Sequence, residues 1–265
     1  MAAAFAGLTP AAVHGHGDVH EAILMISKEI DAKPGNASLL CERALLYFQA
    51  EHYAEALADA GKATEADPAN DTALAMRARI YRKTGKLAEA RAAQEAFLKK
   101  HPAHALVRFD YCQTLIELKD TAAALRELDG LISMMAKPFP DAVALRLRLT
   151  EAQGVEGPAM ALEWVKTFLT KHRLPVFEEH ALRLEIQLGR TTDAVKRLDA
   201  MIARAPRPES LCLRKADLLA AAGDRAGAES AARAAREAIG RLPPQIRGTA
   251  ACIALEQRTE KFLTP

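Results

Sequence analysis

Aromatic side chains are scarce in this chain, at 5% of residues with a single tryptophan, Trp164. A core with few large rings must be filled by smaller side chains at close range. No run of 18 or more apolar residues occurs, so no transmembrane helix is expected. Neither sign of charge dominates. The formal net charge of +2 lacks the strong basic footprint that nucleic-acid binding leaves, so no nucleic-acid partner is expected. The four cysteines, Cys41, Cys112, Cys212 and Cys252, show no CxxC or other metal spacing and are expected as small buried thiols. Also missing are GxSxG, a P-loop, HExxH and a GxGxxG turn. The chain is therefore read as not an enzyme, with no resident cofactor.

What is abundant is alanine, in a chain of 265 residues with 50% apolar and 26% charged side chains. Alanine is the best helix former and the smallest residue that keeps a Cβ, so it suits helices in close contact. The sequence also repeats. Pro34, Pro68 and Pro102 are spaced by 34 residues, as are Tyr47 and Tyr81, Gly189 and Gly223, and Ala194 and Ala228. Ala54-Glu55-Ala56 returns at that period as Ala88-Glu89-Ala90.

With this period and these residues, the chain resembles the tetratricopeptide repeat family. From Ala37 to Asn70 the pattern is carried by Ala44, Tyr47, Ala56 and Pro68, and from Asp71 to His104 by Ala78, Tyr81, Gly85, Ala90 and Pro102. Cys112, Leu115, Ala124 and Leu128 continue it, and Pro138 with Pro140 signals a short insertion. The pattern is most degenerate near residues 137–173 and recovers around Gly189, Ala194, Leu198, Ala216, Gly223 and Ala228. The resemblance implies an all-α fold: a right-handed α-solenoid of stacked antiparallel helix pairs. One pair cannot bury its own face, so neighbours share a continuous core. The degenerate segment is a place for a bend, or for a division into two sub-arrays.

The organisation expected is an apolar, His-rich leader over residues 1–17, the repeat array over 18–242, and a solvated capping helix over 243–265. The array opens on a half-repeat whose helix starts at Asp18, with Glu21 completing a capping-box pair. Residues 1–13 resemble the apolar core of a secretory signal without its positive start. Two readings stay open, export, as to a periplasm, and an apolar leader with no export role; export is favoured slightly over a cytoplasmic location.

Two candidate sites follow. In the family, positions 2, 5, 9, 12 and 13 of each first helix line a concave groove. The resemblance places Phe48, Arg79, Arg82, Lys83, Phe109, Gln113, Arg146 and Arg183 there, with Ser38, Cys41, Leu45, Leu106, Ile116, Glu117 and Glu179 beside them. This implies a basic patch next to exposed Phe48 and Phe109, able to hold a protein or peptide partner, most strongly through arginine–carboxylate pairs. The lysine and asparagine that bind chaperone tails in this family are replaced by Cys41 and Leu45. The second candidate is the segment His14 to Glu21, in which His14, His16 and His20 are suited to zinc, nickel or copper. It supports an alternative function as an exported metal-binding accessory protein. Against it stands a plain leader followed by a helix cap. Trp164, beside Val165 and Phe168, is read as core.

Overall fold

The computed structural model describes residues 16–264, with side chains from Val19 onward. Residues 1–15, including the apolar leader and His14, lie outside the described residues. Among those described there are helices and no strand. Helix α1 (His16–Ala32) comes first, and six pairs follow: α2 (Ala37–Gln49) with α3 (Tyr53–Ala66), α4 (Asp71–Lys83) with α5 (Leu87–Lys100), α6 (Ala105–Glu117) with α7 (Thr121–Ser133), α8 (Pro140–Glu151) with α9 (Gly157–Lys171), α10 (Pro175–Gln187) with α11 (Thr191–Ile202), and α12 (Glu209–Ala221) with α13 (Arg225–Gly240). A short α14 (Pro244–Arg247) and α15 (Ala250–Leu263) close the chain. No described helix is long and apolar enough to cross a membrane.

The period is set at the helix ends. Asn36, Asn70 and His104 stand one period apart and cap α2, α4 and α6, each accepting a hydrogen bond from a backbone N–H of the first turn. Five of the six pairs are joined by a tight turn whose second residue has positive φ; between α8 and α9 it is the third, Gly154. The positive-φ residue is Gly85 in the second pair, but Glu51 (φ 61°) and Lys119 (φ 64°) in its neighbours. One residue later, the N–H groups of His52, Lys86 and Asp120 donate to the carbonyls of Tyr47, Tyr81 and Leu115, respectively, at 2.8–2.9 Å.

The core follows from the small residues. Ala44, Ala56, Ala78, Ala90, Cys112 and Ala124 are all buried, which lets the two helices of each pair close on one another. Ala44, Ala56 and Ala60 form one cluster with Met76 and Ile80 of the next pair, so the core passes from repeat to repeat.

The chain divides into two compact units, residues 1–146 and 147–265. In the first, α1 to α7 pack in succession, from α1 on α2 to α6 on α7, and α2 also packs on α4 and α4 on α6. In the second, α9 to α13 pack in succession, and α15 packs on α13 and α12. Each unit is a stack of helix pairs, an all-α solenoid arrangement. Near the start of the second unit, Gly157 stands where a Cβ would lie 2.5 Å from the carbonyls of Thr150 and Glu151, so only glycine fits.

The ends differ from expectation. Helix α1 begins at His16, so Asp18 lies inside the helix and is not its cap. The single helix expected after Pro244 breaks at Gly248, and Thr249 caps a new start by accepting from the N–H of Cys252. Nor is α15 merely solvated. Cys252 and Thr259 are buried, and Leu255 and Phe262 pack against the cluster of Cys212, Leu213 and Ala235. Cys212 and Cys252 are free thiols, as are Cys41 and Cys112.

Candidate functional site

In the first unit, the first helices of three successive pairs present one shared face. On α4, Arg79, Arg82 and Lys83 are spaced three and four apart and share a stripe. Arg79 reaches back to α2, where its guanidinium carbon lies 5.1 Å from the centre of the Phe48 ring. The Phe48 ring also meets Tyr53 edge-on at 5.5 Å. Phe48 is therefore half-buried, covered by a cation and a ring. The expectation of an exposed Phe48 is corrected: the spacing places it on the right face, but its neighbours shield it.

Arg82 reaches forward to α6. Its Nη1 donates to Glu117 Oε1 at 2.8 Å, and Nη2 lies 3.8 Å from Asp110. Only 11% of its side chain is exposed. Arg82 thus bridges two helices inside the face and is not a free cation of a basic patch. Its Nε is buried with no partner among the described residues. Burial pushes the Asp110 carboxyl above its ordinary value, against the opposing pull of Arg79, Arg82 and Lys83. Arg79 and Lys83 remain exposed.

On α6, Leu106, Phe109, Gln113 and Glu117 follow helical spacing along the same stripe. Leu106 is 63% exposed, and Gln113 is half-buried. Phe109 meets Phe139 edge-on at 5.9 Å, so the insertion before α8 supplies the ring that covers it. The expectation of an exposed Phe109 is corrected on that ground. Cys41 is buried in the core with Leu40, and its thiol approaches Asn70 Oδ1 at 3.8 Å, so it does not line the face. Leu45 packs partly into the core between α2 and α4.

Arg146, still in the first unit, is held by Asp129, with Nε 3.0 Å from Oδ1. Arg183 belongs to the second unit, where it donates to Glu151 Oε2 at 2.7 Å beside His180. Glu179, also in the second unit, pairs with Arg214 at 2.8 Å. These arginines are engaged by carboxylates of their own units. The sequence could not show such pairing, because partners such as Arg82 and Glu117 are 35 residues apart.

Of the histidine candidates, His14 lies outside the described residues, and the side chain of His16 is not described. His20 is exposed, and its ring centre lies 6.2 Å from that of His52. His52 was not among the residues expected from sequence. No group of three metal-ligating side chains occurs among the described residues. Trp164 is half-buried and stacks on Phe168 at 5.4 Å, with Phe168 packed against His172 and Phe177.

Comparison with known proteins places this geometry. Residues 41–105 and the overlapping 75–143 match the Tetratricopeptide repeat family. No curated protein matches the chain. Among solved structures, a tetratricopeptide repeat protein from Parabacteroides merdae is 16% identical, with a TM-score of 0.52 over 92% of this chain and 93% of that one. MamA is 18% identical, with a TM-score of 0.51 over 58% of this chain and 89% of its own. Naa15/Naa10 bound to HypK-THB gives 14% identity and a TM-score of 0.51, over 94% of this chain and 37% of that one. At these identities the likeness is one of fold.

Proposed function

We propose that this chain, a tetratricopeptide-repeat protein across residues 41–143, is an interaction scaffold that holds a protein or peptide partner on the face shared by α2, α4 and α6. The observation that supports this is the continuity of that face. Arg79 covers Phe48 on one side and Arg82 binds Glu117 on the other, so three helices present a surface fixed by cross-helix contacts. A preorganised surface loses little side-chain freedom when a partner binds. The exposed groups on it are Arg79, Lys83 and the apolar Leu106. They suit a segment that combines an acidic side chain with an apolar anchor. One of the similar structures, Naa15/Naa10 bound to HypK-THB, is itself an assembly.

The test is co-purification of partners with wild type, with Arg79→Glu/Lys83→Glu, and with Leu106→Asp. Arg82 is left intact, because Arg82→Glu would set three carboxylates together and damage the fold. A partner recovered with wild type and lost from both variants, at unchanged helicity and melting temperature, supports the face. Partners that survive both changes place the binding elsewhere.

A second reading is supported by the neighbouring rings of His20 and His52. Two imidazoles at this separation suit a transition metal as a partial ligand set. Zinc titration by calorimetry, comparing wild type with His52→Ala, tests it. Equal binding by the two proteins would remove His52 from any such site.

A further inference from the structure

In the first pair, Arg43 is fully engaged. Its Nε and Nη2 donate to the two oxygens of Asp59 at 2.6 and 2.8 Å, and Nη1 donates to Ser27 Oγ at 3.0 Å. One period later the arginine is kept as Arg77, but both partners are gone. Ser27 is replaced by Gly61 and Asp59 by Ala93. A Cβ at Gly61 would meet nothing within 4 Å, so nothing else fills that space. Arg77 keeps one polar contact, donating from Nη2 to the Tyr81 hydroxyl at 3.3 Å, and has no carboxylate partner among the described residues. One period further on, a tyrosine replaces the arginine, and partners return. Tyr111 donates to Glu95 at 2.8 Å, and Glu127 holds Arg108.

Where the partner of Arg77 is missing there is a cavity of about 270 Å³, with Arg77, Tyr81, Ala93, Ala96, Phe97 and Lys100 in its lining. Lys100 is exposed and forms no ion pair among the described residues. The cavity is therefore apolar in its body, with a half-buried arginine on one wall and a lysine beside it. Sites for whole small molecules run to about 300–1,000 Å³, so this one is sized for a single residue. The chemistry that fits is a carboxylate attached directly to an apolar group. A polypeptide's C-terminal aliphatic residue carries both in one unit.

We propose that this cavity binds the C-terminal carboxylate of an apolar residue of a partner polypeptide. Arg77 takes the carboxylate in the two-pronged manner in which Arg43 takes Asp59, and the Tyr81 hydroxyl proton is free to donate as well. The aliphatic side chain fills the space over Ala93, Ala96 and Phe97. Arg77 and Arg79 are two residues apart, about 160° around the helix. This site is thus separate from the face that carries Arg79 and Lys83, and the two assignments stand or fall independently.

The test is an NMR titration of the full chain with N-acetylleucine, read at the Arg77 side chain and the Ala93 and Phe97 amides. N-acetylleucinamide serves as the uncharged match and hexanoate as a free carboxylic acid. Saturable shifts at those three positions are expected with N-acetylleucine, with binding at least tenfold weaker for the amide. Arg77→Gln is expected to weaken binding at least tenfold. Ala93→Asp supplies the missing partner in cis, and is expected to abolish binding while raising the melting temperature. It also keeps the test valid if Arg77→Gln is poorly folded. The proposal is overturned if N-acetylleucine does not bind, if the amide binds as well as the acid, or if folded Ala93→Asp binds like wild type. Tenfold tighter binding of hexanoate would overturn the peptide assignment.

Discussion

Gln94 is fully buried, and neither its amide oxygen nor its nitrogen has a hydrogen-bond partner among the described residues. Its equivalents one period away are Ala60 and Leu128, both buried and apolar. An unsatisfied buried amide costs about 1–3 kcal/mol, so Gln94→Leu is expected to stabilise the protein by about that much. The urea midpoint should rise with the slope unchanged; a lower midpoint would mean the amide has a partner. A second residue-scale expectation concerns the turns. Lys119 holds positive φ where the preceding pair has Gly85. The side chain is strained there, and removing it offsets the added freedom of the unfolded chain. Lys119→Gly is expected to gain about 0.5–1 kcal/mol, and Gly85→Ala to lose a similar amount. The small residues at Ala44, Ala56, Ala78 and Ala90 were legible because their chemistry recurs with the period. The turns at Glu51 and Lys119 were not, because the backbone shape recurs there without the glycine that announces it. His104 likewise hides the third of three periodic caps behind a different side chain.

At the scale of the helix, the repeat pattern fixes which face is buried but not how a polar residue on that face is satisfied. Glu185 on α10 takes the position that Tyr47 and Tyr81 hold in earlier pairs. It is 1% exposed and receives two hydrogen bonds from Arg197 on α11, at 2.7 and 2.8 Å, with Lys166 3.9 Å away. Removing one partner of such a pair leaves a buried charge without its counterpart. Arg197→Leu is expected to cost about 3–5 kcal/mol. Glu185→Leu/Arg197→Leu should recover most of that loss, because the desolvation penalty goes with the charges. Denaturant melts of the two variants decide it; a double variant as unstable as the single one would show that the pair's geometry is needed, not only its neutralisation. The same logic explains why the candidate face was only half legible. Family positions put Arg79, Arg82, Lys83, Phe109 and Gln113 on one stripe. Which of them stays free was decided by Asp110, Glu117 and Phe139, residues of a neighbouring helix and an insertion.

For the molecule as a whole, buried thiols and a buried tyrosine shape the response to alkali: burial raises the Cys212 thiol of the second unit, and three groups of the first unit are raised further. Burial pushes the Cys41 thiol up to about 11 and the Cys112 thiol up to about 12, from an ordinary value of 9.0. Burial, with the hydrogen bond to Glu95 second, raises Tyr111 from 10.0 to about 12. In each case the folded state holds its proton more tightly than the unfolded chain does. The stabilisation is therefore complete below the unfolded value and is lost as pH rises through the folded one. Stability should hold from neutral pH to about 9 and fall steadily from there to about 12. On the acid side the sign reverses. Glu95, held down by hydrogen bonds from Arg91 and then Tyr111, and Asp193, held down by Lys166, contribute above their ordinary values of 4.5 and 3.8 and lose that contribution as pH falls. Melting curves between pH 7 and 12, compared for wild type and Cys41→Ala/Cys112→Ala, isolate the part due to these two thiols. The variant starts less stable, because two core side chains are truncated, so the slope carries the information and not the absolute melting temperature. A shallower alkaline slope in the variant assigns the loss to these two thiols. An unchanged slope would mean that Tyr111, the Cys212 thiol or the lysines control it.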